Sequence, residues 1–443
     1  MGTAIAFQNG SDILVTGSFD NSLTLGLGDP NETTLEAAGV GDLFLARYDS
    51  RGNLVWAESA GGTMEDGGTA VTANSDGTSF VAGTRLGSAT FALGEPDERV
   101  VKGRGVFIAK YHWEGTVIWA EDVEIENPGA VGAFGCAAIP GGGAFVCGTR
   151  GADTFVARIS SIGNTSWVEY SDATSGGTGD VAYAVCTTPD GAAVATGVFD
   201  GTTTFGSGQS HQTTLAPDPP GSNANFFLVK YSSNGSLAWA KGNSGNGFSV
   251  DALPDGSVLL TGSFGGTTVF GKGDPNQTNL TSMGDRDVFV AKFNPNGTLV
   301  WVKQAGGESA ETGYSIRADL DGSFYVTGEF RKEATFGPGE IGEATLEAEN
   351  ATVNLFLAKY QPNGSLDWVR QVKSDEAVVG RGVDVDPTGR VALTGTFFQG
   401  TATFGPGELG EVTFDSHDGS SGFAAMYWKL DPPSGVEGFH RYE

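Results

Sequence analysis

Carboxylates give this 443-residue chain its widest chemical scope. Asp29, Glu95, Asp274, Glu340 and Glu408 follow a glycine-bearing turn in five related segments, and Gln209 holds the same place in a sixth. Asp42, Asp153 and Asp287 precede a second recurring phrase, with Asn225 and Asn354 at matching places. Grouped carboxylates can hold a hard cation such as Ca²⁺ through their oxygens. They can focus a negative field onto a basic partner. As a close pair they can divide acid and base roles in a hydrolase or lyase. Asp and Asn also cap turns, and surface charge keeps a chain soluble, so turn chemistry is the competing reading.

The remaining reactive residues are sparse. Four histidines, His112, His211, His417 and His440, are scattered, and no pair has ligand spacing. Three cysteines make neither a disulfide scaffold nor a zinc site. Cys136 and Cys147 face each other across a predicted hairpin, which leaves a cross-strand disulfide and two buried thiols as alternatives. The strings Gly337-Pro338-Gly339-Glu340-Ile341-Gly342 and Gly405-Pro406-Gly407-Glu408-Leu409-Gly410 have a nucleotide-loop pattern. A dinucleotide site needs a helix to follow; here strand-forming residues do, so both read as turns.

The elements that position these groups follow from an internal repeat. Val15-Thr16-Gly17 recurs with variations, and its glycine returns at 83, 148, 197, 262, 328 and 395. Each copy is followed by a phrase such as Phe289-Val290-Ala291-Lys292-Phe293, then by a tryptophan: Trp56, Trp119, Trp167, Trp239, Trp301 and Trp368, with Phe439 in the seventh place. Asp-Gly and Asn-Gly pairs (Asp76-Gly77, Asn296-Gly297) punctuate each copy and suggest type I′ hairpins. Every copy thus reads as four strands, and no segment keeps a helical period. The fold predicted is all-β: a seven-bladed β-propeller with four antiparallel strands per blade. It is expected as one domain over 1–443, with blades near 1–62, 63–125, 126–172, 173–243, 244–307, 308–374 and 375–443. No strand is expected to be shared between the chain ends. Six copies carry an extra hairpin between strands two and three; the third copy lacks it. These insertions are expected to gather on one face of the disc. A large aromatic in a fixed repeat position reads as inter-blade packing, so the six tryptophans are assigned a structural role. Trp113 and Trp428 fall outside that column.

Composition narrows the partners. Lys and Arg number 25 against 53 Asp and Glu, a net charge of −28. This disfavours nucleic-acid phosphates and anionic membranes. No apolar run is long enough for a spanning helix, and no signal-peptide pattern precedes the first predicted strand.

The Val-Thr-Gly-x-Phe … Phe-x-Ala-Lys-Tyr … Asn-Gly-x-Leu-x-Trp unit resembles the bacterial β-propeller repeats of secreted and surface proteins. The resemblance covers almost the whole chain and implies export, with no particular activity. Ala291, Gly297 and Trp301 also resemble the tryptophan-docking motif of quinoprotein dehydrogenase propellers. Phe293 replaces that motif's Asp, so docking of the indole onto the neighbouring blade is implied and the quinone is not.

The expected function is a non-catalytic, monomeric, secreted or cell-surface propeller. It would bind a protein or glycan through an acidic insertion face bearing Asp29, Asp42, Glu95, Asp153, Asp274, Asp287, Glu340 and Glu408, with Ca²⁺ as the one cation suggested. Two alternatives stand beside it: a hydrolase or lyase at the channel mouth using Asp42, Asp153 and Asp287, and a carbohydrate-binding lectin.

Overall fold

The computed structural model describes residues 2–126, 129–174, 179–218, 225–348, 353–406, 411–427 and 436–442. Its regular structure among these residues is all strand, in small antiparallel sheets. The fifth repeat shows the plan. Asn246–Ala252, Val258–Phe264, Asp287–Phe293 and Leu299–Ala305 pair in chain order. Strand three is buried along nearly its whole length, which explains its largely apolar phrase; strands one and four are only partly covered. The first strands, Gly2–Gln8, Asp66–Ala73, Val131–Ile139, Val181–Thr187, Asn246–Ala252, Thr312–Ala318 and Ala377–Val385, lie beside one another in that order, and the last also contacts the first.

The Val-Thr-Gly phrase sets the inner geometry. Strand one carries a β-bulge in each repeat, as between Gly247 and Ser249. At that point its backbone presses onto the glycine of strand two. A Cβ on Gly262 would stand 1.8 Å from the Asn246 carbonyl, and one on Gly328 1.9 Å from the Thr312 carbonyl. Only glycine tolerates this approach. The threonine is buried and tied down, with Thr261 Oγ1 donating to the Phe289 carbonyl at 3.0 Å. The same oxygen meets the next repeat, where a Cβ on Gly313 would lie 2.4 Å from it. One phrase therefore fixes both the bulge and the spacing of adjacent sheets.

The tryptophans lock the outer side. Trp119 donates from Nε1 to the Ser161 carbonyl at 3.2 Å, Trp167 to Ser233 at 3.1 Å, and Trp239 to Pro295 at 3.0 Å. Each acceptor sits in the strand three–four turn of the following repeat. The indole also covers that turn's glycine, so a Cβ on Gly297 would be 2.8 Å from Trp239. The turn differs from the predicted type I′. Gly297 has φ of 81° whereas Asn296 is not in the left-handed region. Gly297 N–H bonds the Asn294 carbonyl and Asn294 N–H bonds that of Thr298. This is a type I turn closed by a glycine bulge, and the Asn296 side chain caps Thr298 N–H.

The insertions form hairpins, as with Thr267–Phe270 and Thr278–Thr281, but they do not simply gather on one face. The first insertion strand of one repeat lies along strand four of the repeat before it: Ala60 pairs with Phe91, Ser171 with Phe205, and Lys373 with Thr403. The second insertion strand contacts strand four of its own repeat. The hairpins are rim staples across the seams. The third repeat has none, and the link after its predecessor fills the seam with buried Val123 and Ile125. Between the last and first repeats, Phe7 N–H donates to Asp384 Oδ2 at 2.7 Å and Arg390 Nη2 to the Gly10 carbonyl at 2.9 Å. The final strand, Val436–Tyr442, pairs within its own repeat, so no strand is exchanged there.

The hairpin Val131–Ile139 with Gly143–Arg150 corrects the expected cysteine alignment. Cys136 pairs with Val146, and Cys147 with Gly135. The register is offset by one residue, which sends the two side chains to opposite faces. Cys136, Cys147 and Cys186 are free thiols.

Two glycines separate the indole contact from backbone strain. Gly297 and Gly273 share similar positive φ, 81° and 84°, but nothing lies near a Cβ on Gly273. Gly273→Ala is expected to lower stability by about 1 kcal/mol. Gly297→Ala should lose a further 1–3 kcal/mol, roughly, by overpacking. Urea unfolding of the two variants measures the difference.

Candidate functional site

The bulge gives each first strand one residue aimed out of the regular sheet, and these residues line a channel. They are Thr3, Thr69, Phe134, Tyr183, Phe248, Tyr314 and Arg381, and together they border an open cavity of about 150 Å³. Their environments differ. Four aromatic rings run in a continuous arc, with centroids 5.8 Å apart for Phe134–Tyr183, 5.4 Å for Tyr183–Phe248 and 5.3 Å for Phe248–Tyr314. Arg381 continues the arc, its guanidinium 4.8 Å from the Tyr314 ring centroid. The arc is wet: Phe134 is 38% exposed and Arg381 is exposed, while Tyr183, Phe248 and Tyr314 are half-buried. Burial and nearby Glu329 hold the Tyr314 hydroxyl above its ordinary pKa, against the opposing pull of Arg381. The two threonines close the circle with small side chains turned to backbone, Thr3 Oγ1 to the Gly68 carbonyl at 2.8 Å and Thr69 Oγ1 to Ala82 at 3.2 Å.

Below the arc the wall narrows to small residues. Ser249 and Ser315 accept backbone N–H groups from Ile316 and Val383, both at 3.2 Å. Deeper still, Arg317 lies between Asp384 at 3.0 Å and Asp251 at 3.5 Å. Both carboxylates also accept backbone N–H bonds, from Phe7 and Ala318. The floor is thus a compensated Asp–Arg–Asp line.

The carboxylates singled out in the sequence that are described lie elsewhere, and three of the insertion-turn set are already occupied. Asp29 accepts Leu54 N–H at 2.7 Å, Asp274 accepts Leu299 N–H at 2.8 Å, and Glu340 accepts Leu366 N–H at 2.7 Å. Each clamps an insertion turn to the first residue of strand four. Gln209 does the same for Leu237, so the requirement is an acceptor oxygen and not a charge. Lys241 and Lys303 partner Asp274 and Glu340. Glu95 sits on the second insertion, where it and Asp97 add to the burial that raises Glu58 to about 7.

The second set also faces inward. Asp42 and Asp287 are buried, and they accept N–H bonds from Ala38 and Met283. Asn225 accepts a similar bond from Asp218, and Asn354 accepts one from Ser374 at the end of strand four. Asp153 pairs with Arg150 at 2.9 Å and accepts Ala173 N–H. None of the three borders the channel cavity, which removes them as a channel-mouth acid–base set. A partner carboxylate from the next repeat adds to the burial: Asp66 beside Asp42, Asp180 beside Asp153, Glu311 beside Asp287. Desolvation, reinforced by that like charge, lifts Asp66 and Asp180 to about 6 and Glu311 to about 7. No group of three or more potential metal ligands occurs among the described residues. Trp113 is 42% exposed. Glu408 and Trp428 lie outside the described residues, as do the side chains of His417, Phe439 and His440.

The arc itself was missed, although its signal was present. Each repeat has one variable residue between small ones: Ala182-Tyr183-Ala184, Gly247-Phe248-Ser249, Gly313-Tyr314-Ser315 and Gly380-Arg381-Gly382. Small neighbours permit the bulge and the variable residue fills the channel.

No protein-family model matches the chain. An uncharacterized WD repeat-containing protein, L264, of Acanthamoeba polyphaga mimivirus is 21% identical over 451 residues; the alignment covers 84% of this chain and 32% of the relative. The chain therefore spans about a third of that protein's length. Among solved structures, Sqt1 from Chaetomium thermophilum superposes with a TM-score of 0.41 at 12% identity, covering 94% of this chain and 82% of that one. The periplasmic gluconolactonase PpgL of Pseudomonas aeruginosa gives 0.31 at 12% identity, covering 81% and 96%.

The buried carboxyl pair at the fifth seam makes stability fall with rising pH. Glu311 ordinarily titrates near 4.5 and is raised to about 7 when folded. Its protonated form is favoured by the folded state, so its contribution is intact below about 4.5 and lost as pH rises through 7. Glu311→Gln keeps an acceptor for Gly307 N–H, which Glu311 Oε2 now takes at 2.9 Å. The variant is expected to be more stable than the parent at pH 8 by roughly 1–3 kcal/mol and equal to it near pH 4. Denaturant titrations at the two pH values check this.

Proposed function

We propose that the chain is a single seven-bladed β-propeller acting as a non-catalytic interaction module, with a protein partner seated at the channel mouth. The observation that carries this reading is the aromatic–arginine arc. Tyr and Arg dominate the residues whose loss most weakens protein contacts, because they join large apolar area to directed hydrogen bonds. Here four rings and one guanidinium stand together, partly in water, on bulges whose backbone is held by Val-Thr-Gly. Rigid presentation lowers the ordering cost of binding. The cyclic contacts of the first strands support the propeller architecture, as does the likeness to a WD repeat-containing protein. The acceptor role of Asp29, Asp42, Asp274, Asp287 and Glu340 argues for the mouth over an acidic ring as the contact surface.

The test is quantitative capture of partners by the intact chain and by a Tyr183→Ala/Phe248→Ala variant. Leu320→Ser, at an exposed turn between strands one and two, serves as control. The mouth variant is expected to lose about 30-fold in affinity for captured proteins and the control to lose none. Equal capture by all three chains would contradict the assignment.

A further inference from the structure

The channel mouth has an imbalance of donors over acceptors that points to the chemistry of its ligand. Arg381 is exposed, stacked on Tyr314, and makes no ion pair among the described residues. That is unusual in a chain of net charge −28. A guanidinium lying over a ring keeps its in-plane N–H groups available to donate. Ser249 and Ser315 each use an oxygen to accept a backbone N–H, which leaves their hydroxyl protons to donate. The carboxylates at the channel are engaged: Asp251 and Asp384 by Arg317 and by backbone N–H groups, and Glu329 beside the mouth by the Tyr314 hydroxyl. A group that brings acceptors would satisfy these donors.

The mouth also suits apolar surface. The arc from Phe134 to Tyr314 is a stacking wall, and Thr3 and Thr69 opposite it are bonded to backbone carbonyls and offer no strong polar group. The cavity is about 150 Å³, and a cavity of about that volume accommodates one benzene ring. The wider negative charge of the protein is screened beyond roughly 8 Å at physiological ionic strength, so it does not cancel Arg381 at contact distance.

We propose that the mouth binds an apolar carboxylate, with its ring or hydrocarbon part against the aromatic arc and its carboxylate on Arg381. This rests on the reading of the mouth as the recognition site. The carboxylate can belong to a free acid or to the end of a partner chain with an aromatic last residue; the chemistry recognised is the same.

Isothermal titration with four probes tests it: 3-phenylpropionate, 3-phenylpropionamide, N-acetyl-glycyl-phenylalanine with a free carboxylate, and the same dipeptide as its amide. Each acid is expected to bind about tenfold more tightly than its amide. Arg381→Gln should abolish that preference, and Phe248→Ala should weaken both acids. Arg381 is exposed, so its substitution leaves the fold intact, which circular dichroism verifies. Equal affinity of acid and amide, or a preference that survives Arg381→Gln, overturns the proposal. If phenylpropionate binds by way of Arg381 and the dipeptide acid does not, the carboxylate site stands as a free-acid site and the partner-chain reading fails. If neither acid binds yet the Tyr183→Ala/Phe248→Ala variant loses its partner, the carboxylate proposal fails and the interaction reading stands.

Discussion

The structure depends on a backbone contact that only glycine allows. Where strand one presses onto the glycine of Val-Thr-Gly, the separation leaves no room for a Cβ, and the chain relieves the crowding with a bulge. The bulge aims one side chain into the channel. The adjoining threonine, buried and hydrogen-bonded, becomes the surface on which the next repeat's small residue rests. Sheet spacing and channel lining are thus two results of one close approach. The lining residue is free to vary because its side chain is not part of that contact, which is how one repeat offers threonine and another arginine.

The outer side is held by a different kind of interaction. There the link from sheet to sheet is an indole laid over a glycine turn, and an insertion hairpin laid along the preceding outer strand. In four insertion turns an acceptor, Asp29, Gln209, Asp274 or Glu340, secures the hairpin to its own sheet. These bonds explain where much of the acidity goes. Several carboxylates are committed to N–H groups at seams and rims, and those at the seams are buried and stand close to like charges, which together raise their proton affinity. The molecule keeps buried acidic pairs at its seams and, among the described residues, a cation without an ion pair at its channel mouth.

Much of this was legible in the sequence. The repeat, the four-strand unit, the missing third insertion and the tryptophan column all follow from spacing, because one local pattern had to solve the same packing problem many times. Side-chain direction was harder to read. Asp42 and Asp287 look like surface acids until the asparagines at 225 and 354 are taken as equivalents, which shows that an oxygen acceptor was being selected. Asp29 and Gln209 carry the same message. The turns at Asp76-Gly77 and Asn296-Gly297 fit two geometries in sequence, and only φ separates them. The cysteine pairing failed by one residue because hairpin register depends on the turn centre, and a single step reverses every face. The arc was hidden because a bulge breaks the period-two rule from which facing is normally inferred.

The most direct test of this account is alkylation of single cysteines along the first strands, in a background with Cys136 replaced by alanine because it is itself only partly buried. Cysteine at the bulge positions 248 and 314 should react with a maleimide at rates near those of an exposed thiol. Cysteine two residues on, at buried 250 and 316, should be protected by orders of magnitude. Protection at 248 and 314 together with rapid reaction at 250 and 316 would mean that the bulge does not aim its residue into the channel, and the site built on it would not exist.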